Sequence, residues 1–387
     1  MRFLRDLSAP AVVAGFVTVL VGYTSSAAIV FSAARATGAV PAEVASWMWA
    51  LGLGMGATCI GLSLRYRVPV VTAWSTPGAA LLATSAAGLP MSAAVGAFLV
   101  SGALMLLAGV TGLFERSMSR IPIPLASGML AGVLLRFGLD AFLAMKTQLG
   151  LGLAMFAAYL VGRRLWPRWA VVGVLLTGVA VAWGSGLLAG GPIPLELARP
   201  VFTAPTFTVG ALVGVAIPLF VVTMVSQNVP GVAVMRAAGY GQTPISPLVG
   251  WTGLTTVLLA PFGGYAFNLA AITAALCMGR EAHEDPSRRY VAAVFAGLFY
   301  AVLGLFGATV GALFAAFPRE LVMAVAGLAL VNTIGSGLAA AVRDEGQREP
   351  ALVTFLVTAS GVTLFGIGSA FWGLVAGVVA LLLLRRG

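Results

Sequence analysis

The chain has 387 residues, of which 60% are hydrophobic and only 9% are charged, and its mean hydropathy is +1.03. A soluble domain cannot hide that much apolar surface, so a membrane protein is expected. The net charge of +10 comes from short basic clusters between hydrophobic segments. These clusters do not form the basic face that nucleic-acid binding requires, so a nucleic-acid partner is excluded.

Fourteen hydrophobic segments follow one another, and most reach the roughly 20 residues that a membrane-spanning helix needs. They lie near residues 8–34, 44–64, 69–87, 91–114, 121–139, 142–162, 167–188, 207–235, 243–262, 265–279, 287–315, 318–341, 350–366 and 369–384. The helical parts of the third and tenth, 76–87 and 268–279, cross only about half of a bilayer core. The expected fold class is an all-α polytopic membrane protein with 14 transmembrane segments.

The basic residues orient these segments in the lipid bilayer. With the N-terminus in the cytoplasm, one set of loops carries 17 of the 22 Lys and Arg residues. The other set carries Arg35, Arg136, Lys146, Arg199 and Arg319. Because basic residues accumulate in cytoplasmic loops, both termini are predicted to be cytoplasmic. The protein itself is predicted to lie in the inner (plasma) membrane.

The two halves of the chain show a weak internal similarity. The stretch "SSAAIVFSAARATG" (residues 25–38) ends the first segment and aligns with "SQNVPGVAVMRAAG" (226–239) at the end of the eighth. Each half has its short helix third, and Pro122 and Pro318 open the fifth segment of each half. Because seven is odd, the halves would enter the membrane from opposite sides, which is the inverted repeat of many secondary transporters.

The two short segments begin with extended stretches, "VPVVTAWS" (68–75) and "FGGYAF" (262–267). Backbone groups cannot stay unpaired in hydrocarbon, so the two stretches are expected to pair as strands near the midplane. Each leads into a half-helix, one opened by Thr76-Pro77 and the other capped by Asn268. Free N–H groups at such helix starts attract anions. An ordinary helix kinked at Pro77-Gly78 is the alternative.

Polar and aromatic residues near these helix starts form a candidate substrate site. Buried Gln and Asn side chains are costly in a membrane, and aromatic rings near the midplane favour pocket walls. The predicted substrate-binding residues are Ser25, Ser26, Trp74, Ser75, Thr76, Gln227, Asn228, Tyr265, Ala266, Phe267 and Asn268. For the Gln227-Asn228 pair, an interhelical hydrogen bond without a ligand is the alternative role.

Acidic residues occur only at termini, loops and helix ends, which disfavours a cationic substrate and favours an anionic one. The single histidine, His283, lies in the charged loop "GREAHEDPSRR", and Cys59 and Cys277 lie in apolar segments. These residues show neither the spacing of metal ligands nor a Ser/His/Asp arrangement. No metal site, cofactor or enzyme activity is therefore predicted.

The stretches "TAWSTPGAALLA", "SQNVPG" and "APFGGYAFNLAAITAALCMG" resemble signature stretches of the benzoate/proton symporter (BenE) family, which is related in fold to the nucleobase/ascorbate transporters. The resemblance covers essentially the whole chain. It implies a core domain of residues 1–119 and 207–316, containing segments 1–4 and 8–11. It also implies a gate domain of residues 120–206 and 317–387, containing segments 5–7 and 12–14, often in homodimers. Substrate would bind between core and gate at the half-helix ends, and the core would move as an elevator.

Through this resemblance, the helix-eight carboxylate of the nucleobase carriers falls on Gln227. Their Tyr-Gly-Glu-Asn pattern falls on Tyr265, Ala266, Phe267 and Asn268. Both acidic positions are amide or aromatic here, and their loss suits a substrate carboxylate, which acidic side chains would repel. The prediction is a secondary active transporter that imports benzoate or a related aromatic carboxylate, with the proton coupling implied by the resemblance. The alternatives are a carrier of another small anion or a nucleobase-like substrate, a passive channel, and a non-transporting receptor.

Overall fold

A computed structural model describes residues 2–86, 88–118, 122–188, 195–307, 309, 317–362, 364 and 369–384. The protein is mostly helical. Its principal helices are α1 Ala9–Ala36, α2 Pro41–Tyr66, α3 Thr76–Ser85, α4 Met91–Thr111, α5 Ile123–Leu143, α6 Leu149–Leu165, α7 Ala170–Gly184, α8 Val209–Ala237, α9 Ile245–Leu259, α10 Ile272–Met278, α11 Tyr290–Leu305, α12 Arg319–Val342, α13 Arg348–Ala359 and α14 Ser369–Leu384. The predicted segment ends at residues 87, 315 and 366 lie outside the described residues.

Seven helices in the described part of the chain are long and apolar enough to cross a membrane. They are α2, α4, α5, α8, α9, α11 and α12, some of them with an adjoining 3₁₀ turn. Shorter apolar stretches are described within α1, α7 and α14. The expectation of a polytopic helical membrane protein is confirmed.

Helices α1 and α8 end in the same way. Helix α1 closes at Gly38, which has a φ of 74° and donates its N–H to the carbonyl of Arg35 at 3.0 Å. Helix α8 closes at Gly239, which has a φ of 93° and donates to the carbonyl of Arg236 at 3.0 Å. Glycine adopts this left-handed conformation at little cost, so residues aligned between the two halves form matching helix ends.

Two short strands interrupt the helical fold, β1 (Thr72–Trp74) and β2 (Phe267–Leu269). They pair antiparallel, with Ala73 opposite Asn268 at the centre of the register. The backbone N–H of Ala270 extends the pairing by donating to the carbonyl of Val71 at 2.9 Å. The prediction that two strands pair here is therefore confirmed, but the second strand begins only at Phe267, the last residue of the predicted stretch, and continues to Leu269.

The prediction that Asn268 caps the second half-helix is wrong. Asn268 lies inside β2, and helix α10 begins only at Ile272 behind Ala271. A backbone buried at this depth needs partners for its N–H and C=O groups, and strand β1 supplies them as far as Ala270. Sheet pairing thus overrides the capping preference of asparagine and leaves α10 only seven residues long.

The helices pack in two groups. In the first group α2 packs against α11, α4 against α9, and α1 against α3, α10 and α11. In the second group α5 packs against α12 and α13, α6 against α7, and α13 against α14. The groups meet where the last part of α8 contacts α5 and where α1 contacts α12 and α7.

Residues 195–208, which precede α8, have no regular secondary structure and run across the first group. Their N–H groups donate at Val201 to Ser46 Oγ (2.9 Å) and at Thr206 to the carbonyl of Ser92 (2.9 Å). These bonds satisfy the extended backbone and hold the segment against α2 and α4.

Candidate functional site

Helix α3 begins inside the protein, where β1 ends. The Oγ atom of the buried Ser75 accepts the N–H of Gly78 at 3.1 Å and so caps the helix. Pro77 occupies the first turn, where its missing N–H costs nothing. Thr76 beside it is half-buried. The positive end of the α3 dipole therefore points at a partly accessible position next to the sheet, which suits a negatively charged group.

Strand β2 is entered through a strained residue. Ala266 has a φ of 41°, the left-handed region, which costs a residue with a Cβ roughly 1–2 kcal/mol. Such strain persists only where the surrounding structure enforces it, and it is concentrated at functional sites. Asn268 follows two residues later and is fully buried, with its Nδ2 donating to the Ala266 carbonyl at 3.0 Å.

The other end of the Asn268 amide has no hydrogen-bond partner among the described residues. A buried acceptor of this kind costs about 1–3 kcal/mol if it stays unpaired. Residues opposite each other in an antiparallel pair project to the same face, so Asn268 shares a face with the half-buried Ala73. This face of the sheet is where a ligand donor or a water molecule could reach Oδ1.

Helix α8 contains a π-helical turn at Met224–Asn228, which includes Gln227 and Asn228. Pro230 follows it and lacks the N–H that would bond the carbonyl of Ser226 in an α-helix. Turns of this kind inside α-helices occur frequently at functional sites. This turn was not predicted from the sequence, although a proline directly after the polar residues, Pro230, indicates a break in regular α-helix.

Gln227 and Asn228 have different surroundings. Asn228 is fully buried, and its Oδ1 accepts the N–H of Leu269 in β2 at 2.9 Å while its Nδ2 contacts Met224 Sδ at 3.2 Å. At Gly231, a Cβ would stand 2.7 Å from the Leu269 carbonyl oxygen, so α8 lies directly against β2. The Asn228 side chain thus joins α8 to β2, whereas Gln227 is half-buried.

Trp74 faces the protein interior, with 4% of its surface exposed. Its indole N–H donates to Ser26 Oγ at 2.9 Å, and Ser26 in turn donates to the carbonyl of Gly22 at 2.8 Å. The ring stands edge-on to Tyr23 with centroids 4.8 Å apart. Ser26 and Trp74 thus join α1 to β1. Ser25 belongs to α1, and its side chain lies outside the described part of the structure.

The aromatic residues of β2 and the turn before it are fully buried. The Tyr265 ring packs against Trp47 and Phe98, with centroids 5.5 and 5.7 Å away, and those two rings contact each other at 5.4 Å. Phe267 packs so closely on α2 that Gly54 has no room for a Cβ. These rings pack among α2, α4 and α9 and support the two-stranded sheet.

The structure thus brings the start of α3, the centre of β2 and the π turn of α8 together. Among the predicted site residues whose side chains are described, Thr76 and Gln227 stay partly exposed, and Asn268 is buried beside Ala73. The set offers helix N–H groups, a hydroxyl and carboxamides, none of which titrates near neutral pH. Such a set can bind and orient an anion, and it lacks the acid and base groups of hydrolytic catalysis.

Comparison with known proteins gives the family. The pattern of the family described as benzoate membrane transport protein matches residues 5–383. The inner membrane protein YdcO of Escherichia coli (strain K12) is 48% identical, and the benzoate membrane transport protein of Acinetobacter baylyi is 40% identical, each over 99% of this chain and 97% of its own length. The solved structure of SLC26A9 is similar in fold, with a TM-score of 0.55 and 12% identity over 98% of this chain and 66% of that chain. The chain therefore belongs to the benzoate membrane transport family and is a membrane transporter, not an enzyme.

Proposed function

We propose that this protein imports benzoate or a related aromatic carboxylate together with protons. The observation that carries the proposal is the paired β1 and β2, each leading into a half-helix, in an otherwise helical and apolar chain. A membrane protein gives up regular helix at such depth only where the backbone is buried in protein or lines a cavity. The name of the Acinetobacter baylyi relative supports benzoate as the substrate.

The fold we infer is an inverted repeat of seven and seven segments. Helices of the first half correspond to helices seven numbers later, and helices of the second half to helices seven numbers earlier. The packed pair α2–α11 then corresponds to the packed pair α9–α4, α1–α3 to α8–α10, and α6–α7 to α13–α14. The matching ends at Gly38 and Gly239 support the same relation, as do Pro122 and Pro318 before α5 and α12. An odd number of segments in each half then gives the halves opposite orientations in the membrane.

The core and gate domains we propose correspond to the two packing groups. The core comprises residues 1–119 and 207–316, and the gate comprises residues 120–206 and 317–387. The helices pack more extensively within each group than between the groups, which supports movement of the core against the gate in the manner of an elevator. The proposal places both termini in the cytoplasm and two copies of the chain in a homodimer, as the basic residues and the family resemblance predict.

Within this arrangement the substrate carboxylate lies at the first turn of α3, near Ser75 and Thr76, and the Gln227 amide donates to it. Asn268 lines the site from the Ala73 face of the sheet, where its unpaired Oδ1, an acceptor, bonds a water molecule and not the carboxylate. Ser26, Trp74 and Asn228 position these groups through the hydrogen bonds described above. Tyr265, Ala266 and Phe267 support the strand, and Ser25, whose side chain lies outside the described part of the structure, stays a predicted member of the site.

The test is uptake of radiolabelled benzoate into proteoliposomes with and without an inward proton gradient. Accumulation above the external concentration only with the gradient is expected. A channel would instead equilibrate benzoate without accumulation. Failure of benzoate to bind would show that benzoate is not the substrate. Gln227→Ala is expected to weaken benzoate binding about 10- to 150-fold, because a hydrogen bond to a charged group contributes about 1.5–3 kcal/mol.

A further inference from the structure

An ion pair joins the two helix groups near the end of α10. Arg163, in the last turn of α6, places its Nη1 3.4 Å from Oε1 of Glu281, which lies in the turn after α10. The Glu281 side chain is only 10% exposed and that of Arg163 is 34% exposed. A pair this shielded is screened by salt far less than a surface pair. Arg163 belongs to the proposed gate and Glu281 to the proposed core.

Glu281 also lines a small cavity at the seam between core and gate. The opposite walls come from both groups, with Val13 on α1, Val171 on α7 and Ala329 on α12. All of these neighbours are apolar. A carboxylate in such surroundings depends on nearby cations for its stability.

Among the described residues, the groups that interact electrostatically with Glu281 include Arg163 and Tyr159 from α6, and Arg280 and Arg289 from its own loop. Arg289 is already held by backbone carbonyls of the loop, including that of Met278 at 2.8 Å. Burial raises the pKa of Glu281 above its ordinary value, and the three arginines oppose this rise. Glu281 therefore takes up a proton more readily than an exposed glutamate would.

We propose that Glu281 carries the proton that is transported with the substrate, an assignment that rests on the proton symport proposed above. In the arrangement described here it is a carboxylate paired with Arg163. When the core moves, Arg163 stays with α6, and an unpaired carboxylate would remain in an apolar seam. Glu281 therefore binds one proton from the external side, COO⁻ becoming COOH, in the displaced position, in which the core has moved outward.

The return of the core reverses this step. Beside Arg163 the carboxyl group is again favoured as the anion, so it releases the proton. Arg163 at the end of α6 and Glu281 in the loop after α10 both lie on the side that the basic-residue distribution predicts to be cytoplasmic. Release there is in the direction that import with protons requires.

The experiment compares full-length wild type with Glu281→Gln, which mimics the protonated state and cannot release a proton. Two quantities are measured in proteoliposomes: exchange of radiolabelled for unlabelled benzoate without a gradient, and accumulation driven by an inward proton gradient. Glu281→Gln is expected to keep exchange and to lose accumulation down to the level seen without a gradient. Glu284→Gln, an exposed position in the same loop, is the matched control and is expected to behave as wild type.

Each outcome decides between the two proposals. Gradient-driven accumulation by Glu281→Gln would overturn the role of Glu281 and leave the symport intact. If wild type fails to accumulate benzoate, the proposed proton symport is refuted, and so is the proton-carrying role of Glu281. Loss of both exchange and accumulation in Glu281→Gln would show a general structural role and also overturn the assignment.

A second variant tests the pairing itself. Arg163→Gln keeps the carboxylate and removes its cation, so the pKa of Glu281 should rise. The pH at which gradient-driven uptake is half-maximal is then expected to move upward. An unchanged midpoint in a variant that still transports would contradict the proposed partnership of Arg163 and Glu281.

Discussion

Asn228→Ala and Gln227→Ala alter neighbouring positions of one π-helical turn and are expected to impair the protein in different ways. The Oδ1 atom of Asn228 accepts the Leu269 N–H at 2.9 Å, and both residues are fully buried. Alanine at position 228 leaves that N–H without a partner, at a cost of about 1–3 kcal/mol. Gln227 is half-buried, so its truncation should remove a ligand contact and leave the fold intact.

The difference can be measured locally by hydrogen exchange of a peptide that covers β2. An opening free energy reduced by about 1–3 kcal/mol raises the exchange rate about 5- to 150-fold. Asn228→Ala should show this increase together with a lower unfolding temperature in detergent. Gln227→Ala should show wild-type exchange and a loss of benzoate affinity, which makes it the matched control.

The opposite pattern of exchange and binding would refute these roles of Asn228 and Gln227. If Asn228→Ala keeps wild-type exchange at β2 and loses benzoate binding, Asn228 contacts the substrate and does not position the strand. If Gln227→Ala binds benzoate with wild-type affinity, the substrate does not lie at the π turn. Hydrogen exchange separates these outcomes because it reports the strand whether or not substrate is bound.

Three further changes test the packing around the site by thermal unfolding. Ser75→Ala removes the cap of α3 and should cost about 1 kcal/mol, with Ser75→Thr restoring most of it. Gly231→Ala forces a Cβ to within 2.7 Å of Leu269 and should lower the stability by about 1–3 kcal/mol. The control Gly150→Ala, with no atom within 4 Å of the new Cβ, should leave the stability unchanged or slightly higher. Ala266→Gly relieves the left-handed φ of 41° and should stabilise by about 1 kcal/mol, and a lower unfolding temperature would show that the methyl group contributes packing that outweighs the strain.

Much of the helical architecture could be predicted because it follows from local properties of the chain. Long apolar runs predict helices, and their ends agree with the structure to within a few residues for α4, α8 and α14. The polar and helix-breaking residues of "TAWSTPG" and "FGGYAF" predicted where helix gives way to strand. These features depend on hydropathy, on helix-breaking residues and on the need to pair every backbone group at membrane depth.

The details of the site could not be predicted in this way. Asn268 has the side chain of a good helix cap, but the partner strand, nearly 200 residues earlier in the chain, draws it into β2 opposite Ala73. The π turn that separates the roles of Gln227 and Asn228 likewise depends on where Leu269 presents its N–H.

The sequence by itself determined that this protein lies in a membrane, that it breaks two helices, and that no carboxylate lies in the middle of its apolar segments. Only the tertiary structure decided which polar atoms pair with each other and which stay accessible. It also brought Glu281 to Arg163, two residues 118 positions apart, across the seam between the helix groups. The physical reason is that hydropathy acts along the chain, whereas a hydrogen bond or ion pair needs two atoms within a few ångströms, and that proximity arises only from packing.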